Sequence, residues 1–162
     1  MKYISKFGII LPAIIIVACK FKQPEPFNES VAPLVFPKGE VITNSNFTGT
    51  AWLQILVSND STYYASIGNV TFEPKARTNW HKHPGGQILL ITSGQGIYQE
   101  KGEVAQLLNK GDVVKIPPNA EHWHGAISEQ GLTHIAINPN LDSGSVIWLL
   151  PVSDEEYSSA GK

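Results

Sequence analysis

The phrase Trp80-His81-Lys82-His83-Pro84-Gly85-Gly86-Gln87 joins two histidines, two apart in the chain, to a glycine-containing turn. The residues that follow it, 87–92, are apolar and rich in strand-forming side chains. Residues 93–96, Ser-Gly-Gln-Gly, are predicted to turn the chain. Residues 97–100 and 104–108 are predicted to pair as a hairpin closed by a Lys-Gly turn. Short strands separated by turns therefore surround the histidines.

The same pattern covers most of the chain. From Asn46 onward the sequence divides into roughly ten short β-rich segments, with a turn signal about every 6–12 residues. No segment of about 12 residues has a clean helical period, although Asp154 to Tyr157 are predicted to form one helical turn. We predict an all-β sandwich or barrel as a single domain over residues 46–157, with a short tail at 158–162.

The N-terminus has the build of an export signal. Lys2 and Lys6 precede an apolar run from Phe7 to Ala18, and its length of about 12 residues is shorter than a membrane-spanning helix, which needs roughly 20. The run leads directly into Cys19, the only cysteine of the chain, and Ile-Val-Ala-Cys resembles a bacterial lipobox. We predict that residues 1–18 are a signal peptide and that Cys19 is lipidated. The alternative is a short uncleaved anchor.

Residues 19–45 contain four prolines and little periodicity. This composition predicts a tether that holds the domain off a membrane surface, and the alternative is an N-terminal arm packed on the domain. We therefore expect an exported protein that contacts the membrane through its lipid anchor only, on the periplasmic side of the bacterial cell envelope.

The charge balance excludes one class of partner. The chain has 12 basic and 14 acidic residues, a formal net charge of −2, and its basic residues form no stripe or cluster. Binding to nucleic acid needs clustered lysine and arginine to neutralise phosphates. We therefore expect a small-molecule substrate or ligand and no nucleic acid partner.

All five histidines lie between positions 81 and 134. Side chains two apart on a strand point to the same face, so histidines with this spacing aim together. Three same-face groups result: His81 with His83, His122 with His124, and His134 with Ala136 and Asn138. If the barrel closes, the three faces converge on its interior and form one site.

Three imidazoles and an amide would suit a divalent metal. We predict that His81, His83 and His122 bind it, with Gln87 as the fourth ligand, in a neutral shell that leaves positions open for water or substrate. Gln87 is an unusual ligand, and the alternative is that it hydrogen-bonds to one. Imidazole and amide ligands accept Mn, Fe, Ni, Cu and Zn alike.

Two histidines then remain for chemistry. His124 is either an acid or base in the pocket or a hydrogen-bonded wall residue, and His134 is either a pocket group or a satisfied core histidine. Both are candidate catalytic residues. The rest of the predicted pocket wall consists of Val70, Phe72, Ala136 and Asn138. Trp80, Trp123 and Trp148 are expected to lie in the core or in the pocket wall.

Two motifs of the chain resemble those of the cupins. His81-x-His83-x3-Gln87-x6-Gly94 looks like the first cupin motif, and Gly111-x5-Pro117-x4-His122 looks like the second. A glutamate commonly stands where this chain has Gln87, and a glycine often stands where it has Asn119. Residues 72–87 are similar to small single-domain cupins that include manganese-dependent hydroxynitrile lyases, whose relatives are often labelled carboxymuconolactone-decarboxylase-like. The similarity runs from about Phe47 to Tyr157.

The resemblance implies a single cupin jelly-roll barrel (double-stranded β-helix), often a homodimer. It implies a metal, most often Mn in that subgroup, held by the four ligands named above. A histidine that matches His134 is a candidate general base in the lyases. Asn138 stands where that subgroup has a longer glutamine, which implies a larger pocket, so the substrate does not carry over.

Several functions remain open on the sequence. The first is a metal-dependent enzyme acting on a small carbonyl or hydroxyl compound, with hydroxynitrile-lyase-like C–C cleavage as one form and an oxygen-dependent dioxygenase as the alternative. The second is a non-catalytic cupin that binds a small ligand at the cell envelope. A structural cupin with an empty site is the third.

Overall fold

The computed structural model describes residues 34–59 and 62–161. The predicted signal peptide, Cys19 and most of the 19–45 segment lie outside the described residues, so the lipid anchor stays a prediction. Within the described part of the chain, no helix is long and apolar enough to cross a membrane.

Twelve strands and one short α-helix make up the described chain. The strands are β1 (Glu40–Val41), β2 (Phe47–Thr48), β3 (Ala51–Val57), β4 (Ser66–Phe72), β5 (Arg77–Thr78), β6 (His81–Lys82), β7 (Gln87–Glu100), β8 (Gln106–Asn109), β9 (Val113–Ile116), β10 (His122–Ala126), β11 (Leu132–Asn138) and β12 (Ile147–Trp148). A 3-10 turn at Leu141–Ser143 precedes β12, and helix α1 (Asp154–Ala160) follows it. The predicted all-β fold is confirmed.

The strands form two antiparallel layers that share β7. One layer has the order β1-β3-β4-β11-β7-β9, and in the other β10 pairs with β5, β6 and β7, while β2, β12 and β8 extend it. Antiparallel strands that curl in this way enclose an interior between the layers, as in a jelly roll.

The turn predicted at residues 93–96 is wrong, because strand β7 runs through these residues. These residues continue the strand, because a β-bulge near Thr92 and a left-handed Gly94 (φ 76°) bend the chain without ending its pairing. The first part of β7 pairs with β9 and β11, and the last part pairs with β8 and β10. The apparent turn is the corner at which one strand passes between layers. The hairpin beyond it, between β7 and β8, is confirmed.

The interior contains a large apolar core beside the buried histidines and a few other buried polar residues. Its core residues are Ala51, Val70, Phe72, Ala76, Leu89, Ile91, Tyr98, Leu108, Ile116, Ala126, Leu132 and Ala136. A second cluster lies on the outer side of β10, where Trp80 and Trp123 pack with Ile97, Val152 and Tyr157. Alternation along β10 therefore sends His122 and His124 inward and Trp123 outward.

Part of the predicted tether is paired to the domain. Strand β1 lies within residues 19–45 and pairs with β3, Ile42 packs against the core, and the side chain of Asn69 donates to the carbonyl of Pro37 at 3.1 Å. These contacts are the ones expected of a packed arm, so residues from Pro37 onward do not act as a free tether.

Helix α1 is longer than the single turn predicted. It extends to Ala160 because Ser153 caps it: the Ser153 hydroxyl accepts from the backbone N–H of Glu156, and the Glu156 carboxylate accepts from the backbone N–H of Ser153. The Tyr157 hydroxyl donates to the Ala126 carbonyl at 2.8 Å and attaches the helix to β10.

Replacing Ser153 with alanine is expected to lower the free energy of unfolding by about 1 kcal/mol, because the helix loses its N-cap. The matched control is Ser159→Ala, in which a serine in the last turn of the helix donates only to the Glu155 carbonyl. Alanine has the higher helix propensity, so this control should leave stability unchanged or raise it slightly. Urea denaturation compares the two, and equal losses would contradict the capping role.

Candidate metal centre

Strands β6 and β10 bring three histidines together inside the barrel. His122 lies opposite His81 in the ladder, and their ring centroids are 4.2 Å apart. His83 follows β6, with its ring centroid 5.3 Å from that of His81. One nitrogen from each of the three rings lies within 4.8 Å of the others, and all three residues are buried. The three histidines could therefore hold a metal ion.

Backbone carbonyls orient two of these rings. Nδ1 of His81 is 2.9 Å from the carbonyl oxygen of Asn79, and Nδ1 of His122 is 2.9 Å from that of Ala120. A carbonyl oxygen can only accept, so each Nδ1 carries the proton and each Nε2 presents a lone pair. Ligating histidines commonly have their second nitrogen fixed in this way.

Gln87 adds an oxygen to the cluster. Its Oε1 is 3.1 Å from Nε2 of His122, and both atoms are acceptors once Nδ1 of His122 has the proton. Nε2 of His83 is buried and finds no hydrogen-bond partner among the described residues. Facing lone pairs and an unpartnered buried nitrogen are costly unless a cation satisfies them. The donor set therefore fits a divalent metal.

Burial keeps the three rings neutral. Desolvation, together with a smaller effect of the nearby His122, lowers the pKa of His83 to about 4. Desolvation also lowers the pKa of His81 well below its usual value, and that of His122 to a smaller extent. A metal ligand must be unprotonated, so the rings are in the binding form at neutral pH.

His124 and His134 lie beside the cluster and are fully enclosed. Their ring centroids are 4.8 Å apart, and the rings are nearly perpendicular. Nδ1 of His124 and both ring nitrogens of His134 make no hydrogen bond of good geometry to the described residues. Burial lowers the pKa of His134 to about 4, and the neighbouring backbone of Ile135 opposes this only in part. Unpartnered ring nitrogens are what a pocket group would have, and His134 stays a candidate catalytic residue.

A cavity of about 220 Å³ opens beside the histidines. Of the predicted site residues it is lined by His83, Gln87, His124, His134, Val70, Ala136 and Asn138. Phe72 does not line it, because its ring packs behind His134 (centroids 5.6 Å apart) and against the edge of His124. A larger groove of about 710 Å³ lies at the outer surface beside α1, and no histidine lines it.

Apart from Trp148, the rest of the cavity wall was not predicted from the sequence. Phe47 and Trp148 are in contact (centroids 5.6 Å apart), and both line the cavity together with Leu53, Ile55, Ser66, Ile67, Gly68 and Val146. These residues come from β2, β3, β4, β12 and the segment immediately before β12. Only the period-2 alternation of β3 could have indicated an inward Leu53 and Ile55.

The structure is therefore a small antiparallel jelly-roll barrel with a buried three-histidine cluster that could hold a metal ion. The family model described as a cupin domain matches residues 68–138, which include all four predicted ligands. The chain belongs to the cupin family.

Two relatives are similar over most of their own length. The chain is 42% identical over 111 residues to an (R)-mandelonitrile lyase of Granulicella tundricola, covering 68% of this chain and 85% of that protein. It is 46% identical to a cupin-like protein of Thermotoga maritima, covering 78% of this chain and 96% of that one, with a TM-score of 0.76. A cupin-2 domain protein of Rhodospirillum rubrum, 16% identical with a TM-score of 0.62, covers 85% of this chain and all of its own and shares the fold alone.

Proposed function

We propose that this cupin is a metal-dependent lyase that cleaves a C–C bond in a small, neutral hydroxyl compound of the cyanohydrin type. The observation that carries the proposal is the pair His124 and His134, whose free ring nitrogens lie at the cavity wall beside the three-histidine cluster. The similarity to a mandelonitrile lyase supports the reaction class. Mn²⁺ is the proposed metal.

The cavity wall supports a neutral substrate. Among the described residues that line the cavity, none is a lysine, arginine, aspartate or glutamate, and the histidines there have lowered pKa values because they are buried. Phe47, Val70 and Trp148 add apolar surface. A volume of about 220 Å³ suits a compact molecule such as one aromatic ring with a short substituent.

The chain's own groups have separate tasks. When bound, a divalent metal supplies Lewis-acid polarisation of a substrate oxygen. A ring nitrogen of neutral His134 accepts the proton of the substrate hydroxyl, and the C–C bond breaks to leave a carbonyl and cyanide. The protonated His134 then returns this proton to the cyanide, which leaves as hydrogen cyanide, and the imidazole is neutral again. The apolar wall holds the organic group and excludes water.

Replacing His134 with glutamine is expected to lower turnover of an aromatic cyanohydrin by about 10²–10⁴-fold, because the proton acceptor is lost. Metal content should not change, since His134 is not among the three histidines whose nitrogens converge. Release of aldehyde and cyanide measures turnover, and elemental analysis measures the metal. Unchanged turnover would remove His134 from the proposed reaction.

The same assay separates the alternatives. Equal rates in air and under argon exclude an oxygen-dependent dioxygenase, whereas activity only in air would replace the lyase proposal with it. No turnover across a panel of carbonyl, cyanohydrin and phenolic compounds, together with saturable ligand binding that His122→Ala abolishes, would favour a non-catalytic binding protein.

A further inference from the structure

The amide of Gln87 is held from behind by two polar residues. Its Nε2 donates to Oδ1 of Asn138 at 2.9 Å, and Nδ2 of Asn138 donates to the hydroxyl of Ser66 at 3.2 Å. At the other end, Oε1 of Gln87 lies 3.1 Å from Nε2 of His122. A continuous chain of contacts thus leads from Ser66 to the three-histidine cluster.

The sheet brings these residues together. Ser66 begins β4, Asn138 ends β11 and Gln87 begins β7, which are three adjacent strands. Asn138 is the cross-strand partner of Ser66. The side chain of Asn140 also donates to the carbonyl of Gly85 at 3.2 Å, which joins the turn before Gln87 to the end of β11.

The direction of the hydrogen bonds between Ser66, Asn138 and Gln87 determines which end of the Gln87 amide faces the histidines. An amide has one acceptor end and one donor end. Because Oδ1 of Asn138 can only accept, it selects the Nε2 end of Gln87 and leaves the oxygen toward His122. The Ser66 hydroxyl, which can donate as well as accept, here accepts from Nδ2 of Asn138, and this arrangement leaves Oδ1 of Asn138 facing Gln87.

We propose that Asn138, held by Ser66, is a positioning residue that keeps the carbonyl oxygen of Gln87 directed at the metal site. The inference rests on the proposed metal-dependent function and assigns Asn138 a task besides lining the cavity. Without this acceptor, the Gln87 amide is free to rotate and to present its N–H end, which cannot bind a cation. Partners that orient ligands in this way typically change metal affinity by about 10–100-fold when removed.

The test is a double-mutant cycle read as metal affinity. Purified protein is stripped of metal and titrated with Mn²⁺, and free Mn²⁺ is counted by electron paramagnetic resonance. Asn138→Leu removes the acceptor at similar volume and is expected to weaken Mn²⁺ binding about 10–100-fold. In a Gln87→Ala background the same substitution should cause less than about a twofold further change, because the group it positions is gone.

The conservative variant distinguishes positioning from packing. Asn138→Asp keeps an acceptor for Nε2 of Gln87 and is expected to bind Mn²⁺ at least as tightly as the wild type. Ser66→Ala should weaken binding less than Asn138→Leu does, since it acts one step further away. Unfolding temperatures of all variants show whether the barrel is intact.

Other outcomes would contradict either the positioning role of Asn138 or the metal centre itself. Equal losses for Asn138→Leu with and without Gln87, or no loss in either, would refute the positioning role. The cycle is repeated with Co²⁺, so that a preference for another metal does not hide the effect. If His122→Ala retains the metal, the proposed metal centre itself is wrong, which is a different result from a failed cycle.

Discussion

Replacing His122 with alanine is expected to weaken Mn²⁺ binding by more than about 100-fold, since loss of a ligand should exceed the effect of losing an orienting partner. His122 is central to the cluster: its ring lies 4.2 Å from that of His81, and its Nε2 faces Oε1 of Gln87. Its side chain is fully buried, so an exposed side chain cannot take its place as a ligand. Elemental analysis of the purified protein and Mn²⁺ titration measure the loss.

His134→Gln is the matched control for this experiment. It changes a second fully buried histidine in the same interior, but one whose nitrogens are not among the three that converge. It should keep the metal while turnover falls. Because His122→Ala leaves a void, circular dichroism must first show that the variant is folded. A folded His122→Ala protein with full metal content would remove the basis of the metal centre.

Replacing Gly94 with alanine is expected to destabilise the barrel by more than about 3 kcal/mol. Two costs combine at this corner of β7. The left-handed backbone (φ 76°) alone costs an alanine about 1–2 kcal/mol. In addition, a Cβ would lie 1.9 Å from the carbonyl oxygen of Gly131, so one of the two chain segments must shift. Thermal and urea unfolding of the variant measure the loss.

Gly102 provides the control, because it separates backbone strain from collision. It also has a left-handed backbone (φ 86°), but nothing lies within 4 Å of the Cβ that an alanine would add. Gly102→Ala should therefore cost only the backbone term of about 1–2 kcal/mol. Similar losses of stability for the two variants would show that the close approach of Gly94 to Gly131 does not exclude a side chain at this corner.

Local alternation was sufficient to predict the fold class and the inward side chains. Strands and turns follow from short-range patterns, and the spacing of two within His81/His83 and His122/His124 determines that each pair shares a face. The paired strands keep that alternation: His122 points inward and Trp123 outward. These features depend on residues close in sequence, which is why they are readable without a structure.

The predicted turn at residues 93–96 failed for a physical reason. Glycines favour tight turns, but they equally permit a bend within a paired strand. Whether β7 ends or bends depends on partners from β8, β10 and β11, which lie elsewhere in the chain. Phe72 was misplaced similarly, because an inward side chain can lie behind another one, here His134, instead of at the cavity surface.

Composition and spacing alone predicted an all-β domain and histidines that converge on one interior site with side chains suited to a metal. Folding then settled the features that depend on distant partners. Nδ1 of His122 faces the Ala120 carbonyl, and Nε2 of Gln87 donates to Oδ1 of Asn138. Tertiary packing also separates His124 and His134 from the three converging histidines. Residue types and alternation are local properties, whereas hydrogen-bond direction and enclosure require atoms that only the closed barrel brings together.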